Sequence, residues 1–175
     1  MPYPQNSAET YYKNKQPSTY DALRPTGFKF SVNRIPNVNY FCQRANIPEL
    51  SVTAVAANNR FATLPVAGDK LQFAELQVSF LVAEDLSNYI EIANWLFAMG
   101  PRADTSSYQN YNNPLHSDGN LIILNSSNNP AVSINFYNLL PISLAGVEFD
   151  ITVQTPQYLT AVATFQYSYY EIVPL

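Results

Sequence analysis

The 175-residue chain is short of charge: Asp, Glu, Lys and Arg make up 13%, about half of the ~25% usual in soluble domains. It has one cysteine, Cys42, and one histidine, His116. A single cysteine excludes an intrachain disulfide, and one thiol with one imidazole excludes a zinc cluster. No run of Lys or Arg exists and the net charge is −4, which argues against a grip on nucleic acid through its phosphates. The five glycines, Gly27, Gly68, Gly100, Gly119 and Gly146, are scattered at element ends and build no phosphate loop. No apolar run approaches the ~20 residues that cross a bilayer. Met1-Pro2-Tyr3-Pro4 has neither the basic start nor the apolar stretch of a signal peptide. The expectation is a protein made in a cytoplasm, with no membrane association.

Catalytic patterns are equally scarce. No Gly-x-Ser-x-Gly elbow occurs, and nothing specifies a triad around His116 in its polar loop. Glu84-Asp85, the only adjacent acidic pair, reads as a helix start rather than a catalytic pair. Val66-Ala67-Gly68-Asp69 reads as a β-turn leading into a long strand, with a ligand loop as the alternative. Cys42, among Tyr40, Phe41 and Ala45, reads as a buried, inert thiol. No enzyme activity, cofactor or metal is expected.

What the chain has in quantity is apolar and aromatic surface. Hydrophobic residues are 47% and aromatics 14%, with 13 Tyr and 10 Phe. Tyr and Phe suit a β-rich core, and Tyr also suits interfaces, where its ring is buried and its hydroxyl bonded. A low-charge surface filled with Asn, Gln, Ser, Thr and Tyr fits permanent contact with other subunits.

Residues 1–26 are Pro-, Gln-, Asn-, Ser- and Tyr-rich without periodicity and read as an extended arm. Lys13, Lys15 and Arg24 oppose Glu9 and Asp21 there, a balance of +1, against six basic and eleven acidic residues, −5, in the remainder. Tyr3, Tyr11, Tyr12 and Tyr20 are the arm's candidate inter-subunit contacts. Residues 27–175 read as one β domain. Phe28, Phe30 and Val32 alternate with polar residues; Asn39–Asn46 is a second strand candidate, joined to the first as a hairpin through a Pro36-Asn37 turn. Residues 49–70 are less regular. Leu71–Glu84 is the longest strand signal, with Leu76, Val78, Phe80 and Val82 on one face.

One helix is predicted at about 86–99. Leu86, Tyr89, Ile90, Ala93, Leu96 and Phe97 form its apolar stripe, Trp95 sits beside the stripe, Glu84 or Asp85 caps the start, and Gly100-Pro101 ends it with a left-handed residue. Strands follow at Asn120–Asn125, Ala131–Tyr137, Val147–Val153 and Tyr158–Ile172, the first two joined by a turn at Ser126–Pro130. In the last, Ala161, Ala163, Phe165, Tyr167 and Tyr169 share one face. The fold expected is mainly β: an antiparallel sandwich or partly closed barrel with one flanking helix.

LQVSFLVAEDLSNYIEIANWLFAMGP (Leu76–Pro101), SINFYNLLPISLAGVEFD (Ser133–Asp150) and ATFQYSYYEIV (Ala163–Val173) together resemble the tail completion and sheath-stabiliser (tail tube terminator) family of T-even-type contractile phages. The resemblance runs in order over residues 28–173. Tail tube subunits of the same phages are also similar: they share a strand like Tyr40–Pro48, a verbatim Val-Ala-Gly-Asp at 66–69 and a Leu-Pro segment like Asn138–Pro141. The arm departs from both patterns.

The resemblance implies a structural virion protein. It would form a hexameric ring at the head-proximal end of the tail, with tail tube, sheath and neck or connector proteins as partners. A long hairpin from each subunit would line a channel through which DNA passes without specific binding. Within Ile47–Glu84, four acidic residues, Glu49, Asp69, Glu75 and Glu84, face two basic ones, Arg60 and Lys70; Glu49 and Glu75 are the candidate lumen-facing acids. The alternatives are a tube or tube-initiator subunit of the same tail and, from another class, a carbohydrate-binding β-sandwich displaying Tyr108, Tyr111 and Trp95.

Overall fold

The computed structural model describes residues 21–58, 60–61, 63–100, 115–152 and 158–175. Most of the expected arm, with Tyr3, Tyr11, Tyr12 and Tyr20, lies outside these, as do Tyr108 and Tyr111. In chain order the elements are β1 (Phe28–Val32), α1 (Pro36–Phe41), β2 (Cys42–Ala45), β3 (Leu50–Asn58), β4 (Thr63–Phe73), β5 (Leu76–Leu81), α2 (Ser87–Met99), β6 (Ser117–Leu124), β7 (Pro130–Leu144), β8 (Thr160–Gln166) and β9 (Tyr169–Pro174). The fold is mainly β with one main helix, as expected, and the sheet is an open one rather than a closed barrel.

Seven strands form one antiparallel sheet in the order β1-β6-β7-β8-β5-β2, with β9 added on β7. β7 is its pivot. Residues up to Tyr137 pair with β9 and up to Leu139 with β6, while Leu140–Leu144 pair with β8. The bend falls at Asn138, whose φ is +56°, a conformation Asn tolerates better than most residues. Its N–H donates to Asp118 Oδ1 at 3.1 Å and its side-chain amide to Ser168 Oγ at 3.2 Å. The two halves of the sheet enclose one core: Phe30 and Val32 from β1; Leu76, Val78 and Phe80 from β5; Ile134 and Phe136 from β7; Ala161, Ala163 and Phe165 from β8.

The alternating patterns of β1, β5, β7 and β8 therefore bury the expected faces. Tyr169 leaves the row: the chain turns after β8, and Tyr169 is exposed while Tyr167 is buried. The hairpin expected at Pro36-Asn37 does not form. Pro36 opens α1 instead, the helix position where its missing N–H costs nothing, and β1 pairs β6 while β2 pairs β5. The long Leu71–Glu84 signal is divided at Ala74-Glu75 between β4 and β5.

Val147–Thr152 is not a strand. Asp150 Oδ1 accepts from both the N–H and the hydroxyl of Thr152, at 2.8 and 2.7 Å, a local turn that competes with extension. Phe149 and Ile151 are left exposed.

α2 packs against α1 and β7. Its buried row is Asn88, Ile92 and Trp95, with Tyr89, Leu96 and Met99 half-buried. Ile90 and Phe97, expected in the stripe, are 48% and 50% exposed. The helix is thus rotated so that Trp95, the larger ring, enters the core, and its Nε1–H finds the Leu115 carbonyl at 2.8 Å. The start is held by Asn88. Its Oδ1 accepts from Ala83 N–H and its amide donates to Leu81 O at 2.6 Å. Asp85 accepts from Ser87 N–H at 3.0 Å, and that bond, followed by one from the Ser87 side chain, holds its carboxyl below the usual range. The N-cap itself is Leu86, without a side-chain cap, and Glu84 is exposed. Gly100 is extended, φ −102° and ψ 120°, rather than left-handed; the following proline drives its predecessor to that region.

Candidate functional site

β3 and β4 pair only with each other. Their register runs from Leu50↔Phe73 at the root to Asn58↔Thr63 near the tip. They form a nine-residue and an eleven-residue strand that leave the body between Pro48 and Ala74. Sequence reading missed β3 because Ala, Ser, Thr and Asn dominate it and its described side chains, those of residues 50–54, are all exposed, so no buried face imposes alternation there.

Between Val52↔Leu71 and Ala54↔Ala67 the register slips, so Gly68, Asp69 and Lys70 bulge opposite Thr53. The Val66–Asp69 motif is therefore a bulge inside β4 rather than a turn ahead of a strand. Gly68 is required there: a Cβ would lie 1.9 Å from the Thr53 carbonyl oxygen.

Leu50, Val52 and Leu71 share one face with Phe73 by register. Phe73 is half-buried, but the other three are about half exposed, at 46%, 51% and 52%. An isolated two-stranded hairpin is marginal in water, and one with an open apolar face suits contact with another surface.

The root is held by aromatic residues. Tyr167 OH donates to Ala74 O at 2.7 Å, and Tyr170 OH donates to Pro48 O at 3.1 Å. Phe73 packs edge-on to both rings, with centroids 5.9 and 5.6 Å away, and Phe136 closes the cluster at 5.1 and 5.7 Å. Burial, then the neighbouring Tyr170, pushes the Tyr167 phenol up to about 12. Asn46 adds a polar stitch, its Oδ1 accepting from Gln77 N–H at 2.6 Å and its amide donating to Glu75 O at 3.3 Å. The Tyr-rich end of the sequence was the available signal for this cluster; which carbonyls the hydroxyls reach was not readable.

The candidate acids Glu49 and Glu75 both lie at this root, joined through Ala74 N–H to Glu49 O at 3.0 Å. Both side chains are exposed, as are Asp69, Lys70, Arg60 and Phe61 along the hairpin. Glu84 is remote from them, beyond β5. Other expected sites stand apart. Trp95 is buried under Arg34, whose guanidinium sits 5.0 Å from the ring centroid, so it offers no sugar platform. His116 is exposed. Cys42 is half-buried, and burial pushes its thiol up to about 11 against the opposing effect of a backbone hydrogen bond at Arg44. Among the described residues no cluster of His, Cys, Asp or Glu could hold a metal ion, and no helix is long and apolar enough to cross a membrane.

The chain is 31% identical over 110 residues to the tail tube terminator protein of Enterobacteria phage T4, an alignment covering 60% of this chain. It spans 59% of that relative's length. Its fold is similar to that in the tube terminating cap of the anti-feeding prophage, with TM-score 0.66 at 14% identity over 92% of this chain and 97% of the other. It is also similar to the sheath/tube terminator of the extracellular contractile injection system PVC, with TM-score 0.63 at 14% identity over 90% and 99%. A chain of the PVC sheath–tube complex scores 0.60 at 14% identity, over 98% and 100%. At such identities the likeness is one of fold. A model of the phage tail tube protein family matches residues 7–173, nearly the whole chain, and this protein belongs to that family.

Proposed function

We propose that this chain forms a hexameric ring at the head-proximal end of a phage tail tube. There it terminates the tube, anchors the sheath, joins the neck and leaves an axial channel through which DNA passes. The observation that carries the reading is the β3–β4 hairpin, which leaves the body as an unshared pair of strands with an open apolar face. Contact with adjacent copies would cover that face and pair its free edges. The tube terminator of phage T4 and the two terminators of similar fold favour the end of a tube over its shaft.

The lumen would be lined from the hairpin and its root, including Glu49 and Glu75. An acidic wall repels phosphate and lets DNA slide. The arm over residues 1–26 would reach a neighbouring subunit through Tyr3, Tyr11, Tyr12 and Tyr20. In this role the protein is a structural part of the virion, assembled in the host cytoplasm, and performs no catalysis. A tube or tube-initiator subunit is the second reading, favoured by the similar fold in the PVC sheath–tube complex.

The test is assembly and its absence. Purified protein should sediment as a hexamer and image as a six-fold ring with a central hole. Particles lacking it should carry tubes of unregulated length with unstable sheath. Particles with no tube at all would mark a tube or initiator subunit, and a monomer both alone and with tail proteins would sink the ring.

A further inference from the structure

We propose that Tyr167 and Tyr170 form a latch that sets the angle of the β3–β4 hairpin on the body before copies meet. The inference rests on the hairpin being the assembly element. β3 and β4 bond to no other strand, so without root contacts the hairpin would swing as a cantilever. The two hydroxyls engage opposite sides of the root: Tyr170 reaches Pro48, two residues before β3, and Tyr167 reaches Ala74, directly after β4. One bond would leave rotation about itself; two on either side block it. Phe73 packs edge-on against both rings, which also touch each other, and this three-ring cluster stops sliding along the root.

The core does not need the hydroxyls. The rings of Tyr167 and Tyr170 supply the packing, and Phe in their places keeps it. What the hydroxyls add is direction. Ordering a loose arm at the moment of contact weakens association, and in a closed ring each subunit's angular error is passed to the next. A hairpin fixed beforehand avoids both.

The test uses the full chain in a Cys42→Ser background, with spin labels at Arg60→Cys near the hairpin tip and Ser126→Cys in the β6–β7 turn. Pulsed electron resonance on the monomer should give one narrow distance distribution. Tyr167→Phe with Tyr170→Phe should broaden it roughly twofold or more, while the melting temperature moves by no more than about 5 °C. On unlabelled protein the same pair should raise the concentration needed for assembly about tenfold.

A distribution as narrow as the parent's overturns the latch. A broadened one with an unchanged assembly threshold overturns its role in assembly. If the double variant unfolds, the single Phe variants are read the same way, and narrow distributions in both overturn the proposal. If even the parent never assembles, the ring reading fails, and the distribution width still decides whether the latch exists.

Discussion

Tyr167 donates its hydroxyl proton to the carbonyl of Ala74 across 2.7 Å, 93 residues away in the chain. The bond joins the end of the last core strand to the point where the hairpin returns to the body. It makes the C-terminal tyrosines part of the hairpin's foundation.

This bond has a pH signature. The ordinary tyrosine value is 10, and burial raises Tyr167 to about 12. The folded state therefore favours the neutral phenol. Its contribution is complete below about pH 10 and is lost as pH rises through about 12. Urea melts at pH 8 and pH 11 should show a loss of stability for the parent that shrinks in Tyr167→Phe, which has no proton to lose. An identical alkaline loss in both would assign the effect to other tyrosines.

Gly68→Ala should damage the hairpin and spare the body. Its Cβ would meet the Thr53 carbonyl oxygen at 1.9 Å, and backbone cannot step aside as a flexible side chain can. The bulge must open or slip, at a cost of about 1–3 kcal/mol. Hydrogen exchange should quicken at β3 and β4 amides while those of β5 and β8 keep their protection. Uniform quickening would mean that the hairpin and body unfold as one unit.

The helix separates packing from partner contact. Trp95 is 1% exposed and bonded to Leu115 O, so Trp95→Ala should cost about 3–5 kcal/mol in denaturant melts. Leu96→Ala should cost less, because that side chain is half-buried. Ile90→Ala should stay within about 0.5 kcal/mol, its side chain being 48% exposed. A large loss at Ile90 in the isolated protein would contradict the helix rotation described above.

How much was legible follows from where each residue packs. β1, β5 and β8 alternate because one face of each meets the core, and that alternation is written in the sequence. The described side chains of β3, those of residues 50–54, are exposed, so no alternation marked it, and the hairpin was visible only through family resemblance. At α2, Ile90 and Phe97 look as apolar as Ile92 and Trp95; the choice between two adjacent stripes depended on the space under β7, which is a tertiary fact. Pro36 read as a turn because helix starts and turns use the same residue. Val147, Phe149 and Ile151 alternate as a strand would, yet Asp150 bonds Thr152 and holds a turn. At the candidate site, Glu49 and Glu75 were nameable from charge once the family resemblance implied a channel wall within 47–84. Their meeting at one root was not, since 26 positions separate them.

Those two acids give the sharpest test of the channel. Both are exposed at the hairpin root, and no core contact depends on either side chain. Glu49→Lys with Glu75→Lys should leave folding intact, with a stability change within about 1 kcal/mol. If the root faces the lumen, six copies would exchange twelve negative charges for twelve positive ones around the DNA path. Lysines on such a wall bind phosphates and release counterions, so passage should slow most at low salt and recover as salt rises. Single-particle ejection kinetics at two ionic strengths measure this. A surface that faces sheath or solvent predicts a different pattern: assembly or sheath attachment changes, and ejection in the assembled fraction keeps its parental rate at both salts. That second pattern would move Glu49 and Glu75 off the channel wall.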